Sequence, residues 1–140
     1  MAKYLPHGTT VMFNAVAIGG LITVSIPDRT RGVAETTDSG SGFNRDYIPG
    51  LRDGGTVELT FRHDPDNTGQ IALNTNFGLD TSANVVTCVI TLPAIAGTAN
   101  KIYTFDAFVI AAPAGALGLT DDTAAEQSCT LQVASPVVIT

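Results

Sequence analysis

Histidine is scarce in this chain. His7 and His63 are the only imidazoles in 140 residues, and neither has a cysteine, a second histidine or a serine in a recognisable turn nearby. A nucleophilic triad or a zinc site has nothing to be built from. Cationic residues are few as well: 7 Lys and Arg against 13 Asp and Glu leave a formal net charge of -6. A protein that grips phosphates by counterion release shows the opposite balance, so specific DNA or RNA binding is disfavoured. No apolar run approaches the ~20 residues that a bilayer crossing needs. The opening "MAKYLPHGTT" puts a proline and polar residues where a signal peptide carries its apolar stretch, which predicts a chain made and kept in the cytoplasm, with no membrane partner. Cysteine is limited to Cys88 and Cys129, isolated in "VVTCVITL" and "EQSCTLQVA". They read as small buried hydrophobes, not as a disulfide framework.

What is present is apolar and lightly charged, 44% hydrophobic and 14% charged. A chain of this length fits one domain over residues 1–140 and buries roughly two-thirds of its unfolded surface. So low a charge points to surface covered by a partner. "TVMFNAVAI" and "LITVSI" are β-branched runs separated by Gly19-Gly20, the pattern of a hairpin or bent strand. From about 28 to 46 no period of 2 or 3.6 persists, and Gly, Ser, Thr and Asp dominate. That predicts a loop longer than compact domains usually tolerate without a reason. "TVELTFRH" alternates Val57, Leu59 and Phe61 with Thr56, Glu58, Thr60 and Arg62, as a half-buried strand does.

A short helix is predicted over about 65–77, with Asp64 as its cap, Pro65 in its first turn and Gly78 as its stop. Its asparagines and Gly69 are weak helix formers, so packing of Ile71, Leu73 and Phe77 on a sheet is expected to hold it. Three further strand runs follow, "VVTCVITL", "IYTFDAFVIAA" and "EQSCTLQVAS", with turns at 94–100 and 113–123. The fold class is mainly β: a β-sandwich or barrel-like pair of sheets with one short flanking α-helix and a long assembly loop.

Three patterns with a chemical look are set aside. "DPDNTG" at 64–69 starts like a calcium loop but has Thr75 where a bidentate glutamate belongs. "GSG" at 40–42 lacks the preceding strand and following lysine of a phosphate cradle. Asp121-Asp122 reads as an exposed turn before the last long strand. No catalytic residue, metal or cofactor is assigned, and an enzyme is not expected.

Phe43, Tyr47, Ile48, Pro49 and Leu51 then stand out as an apolar cluster inside or just after a segment too polar to fold alone. Either they dock on their own domain or they wait for another molecule. The run "ETTD", a Gly/Ser spacer, "FNRDY", "IPGLRDGGTVELTF" and "HDPDNTGQ", followed by "YTFDAFVIAAPAG" and "TDDTAAEQSCTLQVAS", resembles the major tail tube proteins of long non-contractile-tailed bacteriophages. The segments cover about residues 35–135.

The resemblance implies a structural virion protein whose subunits assemble with one another into stacked, hexameric rings. Those rings form the conduit for DNA ejection, which DNA passes without specific binding. The other implied partners are tail proteins (tape measure, tail tip and terminator), and the location is the virion tail, assembled in the bacterial host cytoplasm. The long segment would lie on neighbouring subunits, with Phe43, Tyr47, Ile48 and Leu51 as anchors and Pro49-Gly50 as a turn. Arg45, Asp46, Arg52 and Asp53 would form the rim. An acidic lining would repel phosphates. Thr56, Glu58, Thr60 and Arg62 form one candidate lumen face, and Glu126, Ser128, Thr130 and Gln132 a second. Ala124-Ala125 before Glu126 departs from the family pattern, and no immunoglobulin-like decoration domain is expected on the outer surface. The alternatives are a tail terminator or head-tail connector ring, or a monomeric β-sandwich binding module.

Overall fold

The computed structural model describes residues 7–40, 42–94, 99–120 and 124–140; Asp121, Asp122 and the first six residues lie outside them. In chain order the strands are β1 (Thr10–Phe13), β2 (Val16–Ala17), β3 (Leu21–Val24), β4 (Thr30–Glu35), β5 (Tyr47–Asp53) and β6 (Thr56–Arg62). The helix α1 (Thr68–Phe77) and a single 3₁₀ turn (Ser82–Asn84) follow. Then come β7 (Val86–Leu92), β8 (Lys101–Ala114), β9 (Glu126–Val133) and β10 (Val138–Ile139). The fold is mainly β, as expected, with a large antiparallel sheet in the order β2-β1-β7-β8-β9-β6-β3, β10 added alongside β8, and a separate sheet of β4 and β5.

Alternation builds the core. Val57, Leu59 and Phe61 on β6 and Cys129, Leu131 and Val133 on β9 point inward. Val11 and Phe13, Cys88 and Ile90, and Phe105, Ala107 and Val109 meet them from β1, β7 and β8 in one cluster with Leu73 of the helix. At about 1.5–3 kcal/mol for each fully buried large apolar side chain, this cluster is the main source of stability.

Several local expectations are corrected. The glycine pair does not join two paired strands: the hairpin turn is Asn14-Ala15, both at positive φ, closing β1 on β2. β3, after Gly20, pairs with β6 instead. β8 runs through the predicted turn at Pro113, past two register shifts against β9 where ladder bonds are already interrupted.

The helix begins at Thr68, later than predicted, and its cap is Asn67, not Asp64. Asp64 is occupied in a turn of its own, its side chain accepting from the Asp66 N–H at 3.1 Å and its carbonyl from the Asn67 N–H at 3.1 Å. The buried helix face is Gly69, Gln70, Leu73 and Asn76, so Ile71 and Phe77, about 48% and 52% exposed, do not pack on the sheet. Ile71, two residues from Leu73, lies on the opposite side of the helix, and Phe77, though four residues on, is the last helical residue and stands at the exposed end of the stripe.

Polar side chains hold that stripe in place. The Asn67 side-chain oxygen accepts from both Gln70 N–H and Gly19 N–H. Gln70 donates to the Gly19 and Arg62 carbonyls at 3.0 and 2.9 Å and accepts from the Asp64 N–H. Asn76 accepts from the Val109 N–H at 3.0 Å and donates to the Asn84 carbonyl at 2.6 Å. Gln70 and Asn76 are buried and Asn67 half-buried; loss of a buried partner costs about 1–3 kcal/mol. Gly69 is required as well, because a Cβ there would strike the Ala17 carbonyl.

Both cysteines are free and buried, and desolvation pushes each thiol up to about 12. The two thiols therefore contribute stability that is complete below their unfolded value near 9 and is lost as pH rises from there towards 12. At pH 8 a thiol reagent is expected to label neither cysteine in the folded chain and both after denaturation. Rapid native labelling of Cys129 would show that β9 opens on its own.

Candidate assembly surface

The segment from 28 to 46 is not an open loop. Its first part forms β4, which pairs antiparallel with β5 as Thr30↔Asp53, Arg31↔Arg52, Val33↔Pro49, Ala34↔Ile48 and Glu35↔Tyr47. Pro49-Gly50, expected to be a turn, lies within β5 at the irregularity opposite Gly32, where a residue without an N–H is tolerated. The result is a two-stranded arm whose every strand residue is exposed.

Its distal stretch is tied by the Thr36 N–H to the Asp46 carbonyl at 2.8 Å and the Asp46 N–H to the Thr37 hydroxyl at 2.8 Å. Arg45 reaches Glu35 at 4.0 Å, both largely exposed, a contact that contributes little.

The arm leaves the large sheet through Gly54-Gly55. Gly55 has φ +75 and a Cβ on it would collide with the Asp28 carbonyl, so only glycine lets the two legs converge. Its carbonyl accepts from the Val133 N–H and the Gln132 side chain, both at 3.0 Å, which fixes the base of the arm to the end of β9.

All eight predicted interface residues lie on this arm. Phe43, near the tip, is about 110% exposed and Leu51, near the base, 91%. Tyr47 and Ile48 are half exposed, and Pro49, Arg52 and Asp53 are exposed. Register places Tyr47 and Pro49 on one face with Val33 and Glu35, and Ile48 on the other with Ala34. The arm thus carries apolar groups on both sides. Val33, 66% exposed, is the member that sequence reasoning missed. Its signal would have been a β-branched residue opposite Pro49, visible only once the pairing is known.

The two candidate lumen runs are one surface. β6 and β9 pair without interruption, setting Thr56 beside Gln132, Glu58 beside Thr130, Thr60 beside Ser128 and Arg62 beside Glu126. All eight lie opposite the core face, and each is at least partly exposed. Arg62 stands 3.8 Å from Glu126, so Glu58 is the one charge on this surface without an opposite neighbour in the register. The face is less acidic than the net charge suggests. Among the described residues no group of three or more His, Cys, Asp or Glu is placed to hold a metal ion.

No protein-family model matches the chain, and no curated protein matches it. Solved structures share its fold. It is similar to a chain of the PVC sheath/tube terminator of an extracellular contractile injection system in the extended state, with 21% identity and a TM-score of 0.78 over 100% of this chain and 98% of the other. It is similar to a chain of the anti-feeding prophage cap, described as the tube terminating cap, with 20% identity and a TM-score of 0.77 over 100% and 92%. It is also similar to Hcp1 from Flavobacterium johnsoniae, with 12% identity and a TM-score of 0.51 over 94% and 98%.

A two-stranded ribbon with both faces in water is marginal alone. In dilute protein the amides of Thr30–Glu35 and Tyr47–Asp53 are expected to exchange orders of magnitude faster than those of Val57–Phe61 and Cys129–Val133. Equal protection of the two sets would show that the arm is held by its own domain.

Proposed function

We propose that this chain is a non-enzymatic structural subunit of a phage-like tail tube, assembling with copies of itself into stacked, hexameric rings. The observation that carries the reading is the arm. It presents Val33, Tyr47 and Pro49 on one face and Ile48 on the other, so covering it takes a partner on each side. Ordering such a segment costs ~1 to 2 kcal/mol per residue in backbone entropy, which contacts with neighbouring subunits offset. The likeness to tube-associated proteins of contractile injection systems supports the tube reading. The motifs between 35 and 135 favour a long non-contractile tail, whose tube conducts DNA.

The polar surface of β6 and β9 is the lining in this reading. Threonine, serine and glutamine, one uncompensated glutamate and an Arg62 already paired with Glu126 offer a passing polyanion no unpaired cation. A second reading, a terminator ring that caps a tube, draws on the same likeness. The two differ in outcome: a tube subunit polymerises on concentration, and a terminator stops at single rings.

Concentrated protein imaged by negative stain is expected to show hollow tubes. Ile48→Asp or Leu51→Asp should abolish them while the melting temperature of the isolated chain moves by no more than a degree or two, because neither side chain is in the core. Unfolding of the isolated variants would return these residues to their own domain.

Glu58→Lys would place one cation per copy at the centre of the polar face, next to Thr130. Tubes should still form, and DNA delivery should slow in low salt and recover as added salt screens the charge. Delivery at the unmodified rate in low salt would move the lining to another surface.

A further inference from the structure

Arg31 and Arg52 stand directly opposite each other on the two strands of the arm. Like charges in that position destabilise a strand pair. The ion pairs among the described residues are Arg45 with Glu35 and Arg62 with Glu126, so within them neither Arg31 nor Arg52 is in a salt bridge. The adjacent Asp53 is opposite Thr30, and its side chain accepts from the Gly55 N–H at 2.9 Å. Both arginines, with Arg29 and Asp53, line a cleft of about 860 Å³ at the base of the arm. Ser135, Pro136 and Val137 line it as well. A cationic, partly apolar cleft beside an unrelieved like-charge pair lacks an anion paired with it.

The missing anion is available at the other end of the same strands. β6 starts at the arm base and reaches Arg62 six residues on, roughly 20 Å at ~3.3 Å per residue. Immediately beyond it, the turn His63-Asp64-Pro65-Asp66 is exposed, and neither carboxylate has an ion pair among the described residues. Of the charged residues that line the cleft three are arginines and one, Asp53, is acidic, whereas the turn carries two carboxylates. The subunit is therefore cationic in its cleft at one end of β6 and acidic at the other.

We propose that the arginine cleft of one copy receives the Asp64-Pro65-Asp66 turn of a second copy, head to tail. The choice of a second copy rests on the tube reading; the contact itself rests on charge and shape. Two carboxylates flanking a pyrrolidine ring match a cleft lined by arginines and by Pro136 and Val137. A head-to-tail contact is heterologous, and where its rotation does not close a ring it propagates along an axis. It also fixes direction, since reversing one copy sets arginine against arginine.

The test is a charge swap. Arg31→Glu with Arg52→Glu is expected to raise the concentration needed for assembly by about tenfold or more, with unchanged melting of the isolated chain. Asp64→Asn with Asp66→Lys, which keeps a side-chain acceptor in the turn, should do the same. All four substitutions in one chain should restore assembly, because the complementarity is exchanged. Assembly of the arginine variant at the unmodified concentration, or failure of the fourfold variant to recover, overturns the proposal. So does loss of binding to duplex DNA, with assembly intact, in the arginine variant, which would assign the cleft to phosphates. If the unmodified chain never associates, the tube reading falls as well; if it assembles and the swaps have no effect, only this contact falls.

Discussion

The seven-pair register between β6 and β9 sets most of what this molecule presents. Because side chains alternate along each strand, pairing Thr56 with Gln132 and Arg62 with Glu126 also puts Val57, Leu59 and Phe61 beside Leu131, Cys129 and Gln127 in the same ladder. A slip of one residue would turn the apolar set into solvent and the polar set into the core. The same ladder ends at Gly55 on one side and at the Asp64 turn on the other, so it also decides where the arm leaves and where the acidic turn sits. Core, polar face and both ends follow from one alignment.

The helix depends on that alignment without contributing an amphipathic pattern of its own. Its inward stripe holds one large apolar residue, Leu73, and otherwise glycine and two amides. Such a stripe would not dock by hydrophobic area. Asn67, Gln70 and Asn76 dock it instead by satisfying backbone groups at Gly19, Arg62, Asp64 and Val109, and those groups are in place only when β6 and β8 are formed. The helix reads the finished sheet.

Legibility in the sequence followed burial. The runs at β6, β7, β8 and β9 were visible because one face of each is in the core, and hydrophobic period reports burial. The helix was legible in position but not in facing, since Ile71 and Phe77 look like core residues and Gln70 and Asn76 do not. β4 was not legible at all: Thr-Arg-Gly-Val-Ala-Glu buries neither face in this chain, so no apolar alternation marks it. The cluster Phe43 to Leu51 was found by composition, but its shape was not, because Pro49-Gly50 signals a turn until its bulged pairing with β4 is seen. Reading Glu126 to Gln132 and Thr56 to Arg62 as two surfaces was the same limitation, since register between distant strands is not written in either one.

An invisible strand is itself informative about assembly. A segment that showed no period and yet forms strands of six and seven residues has little stabilisation of its own, because a two-stranded ribbon in water is marginal. The arm can also bear the opposed arginines Arg31 and Arg52 only if something anionic relieves them. Both deficits, the uncovered apolar faces and the uncompensated cations, lie on the same ribbon, and in the proposed assembly both would be removed by one event, contact with other copies. Both lie away from the core: no core residue belongs to the arm, whereas the arm, entering through Gly54-Gly55, is positioned by the end of the β6–β9 ladder. That one-way dependence is what the proposed assembly requires of a domain that folds first and assembles second.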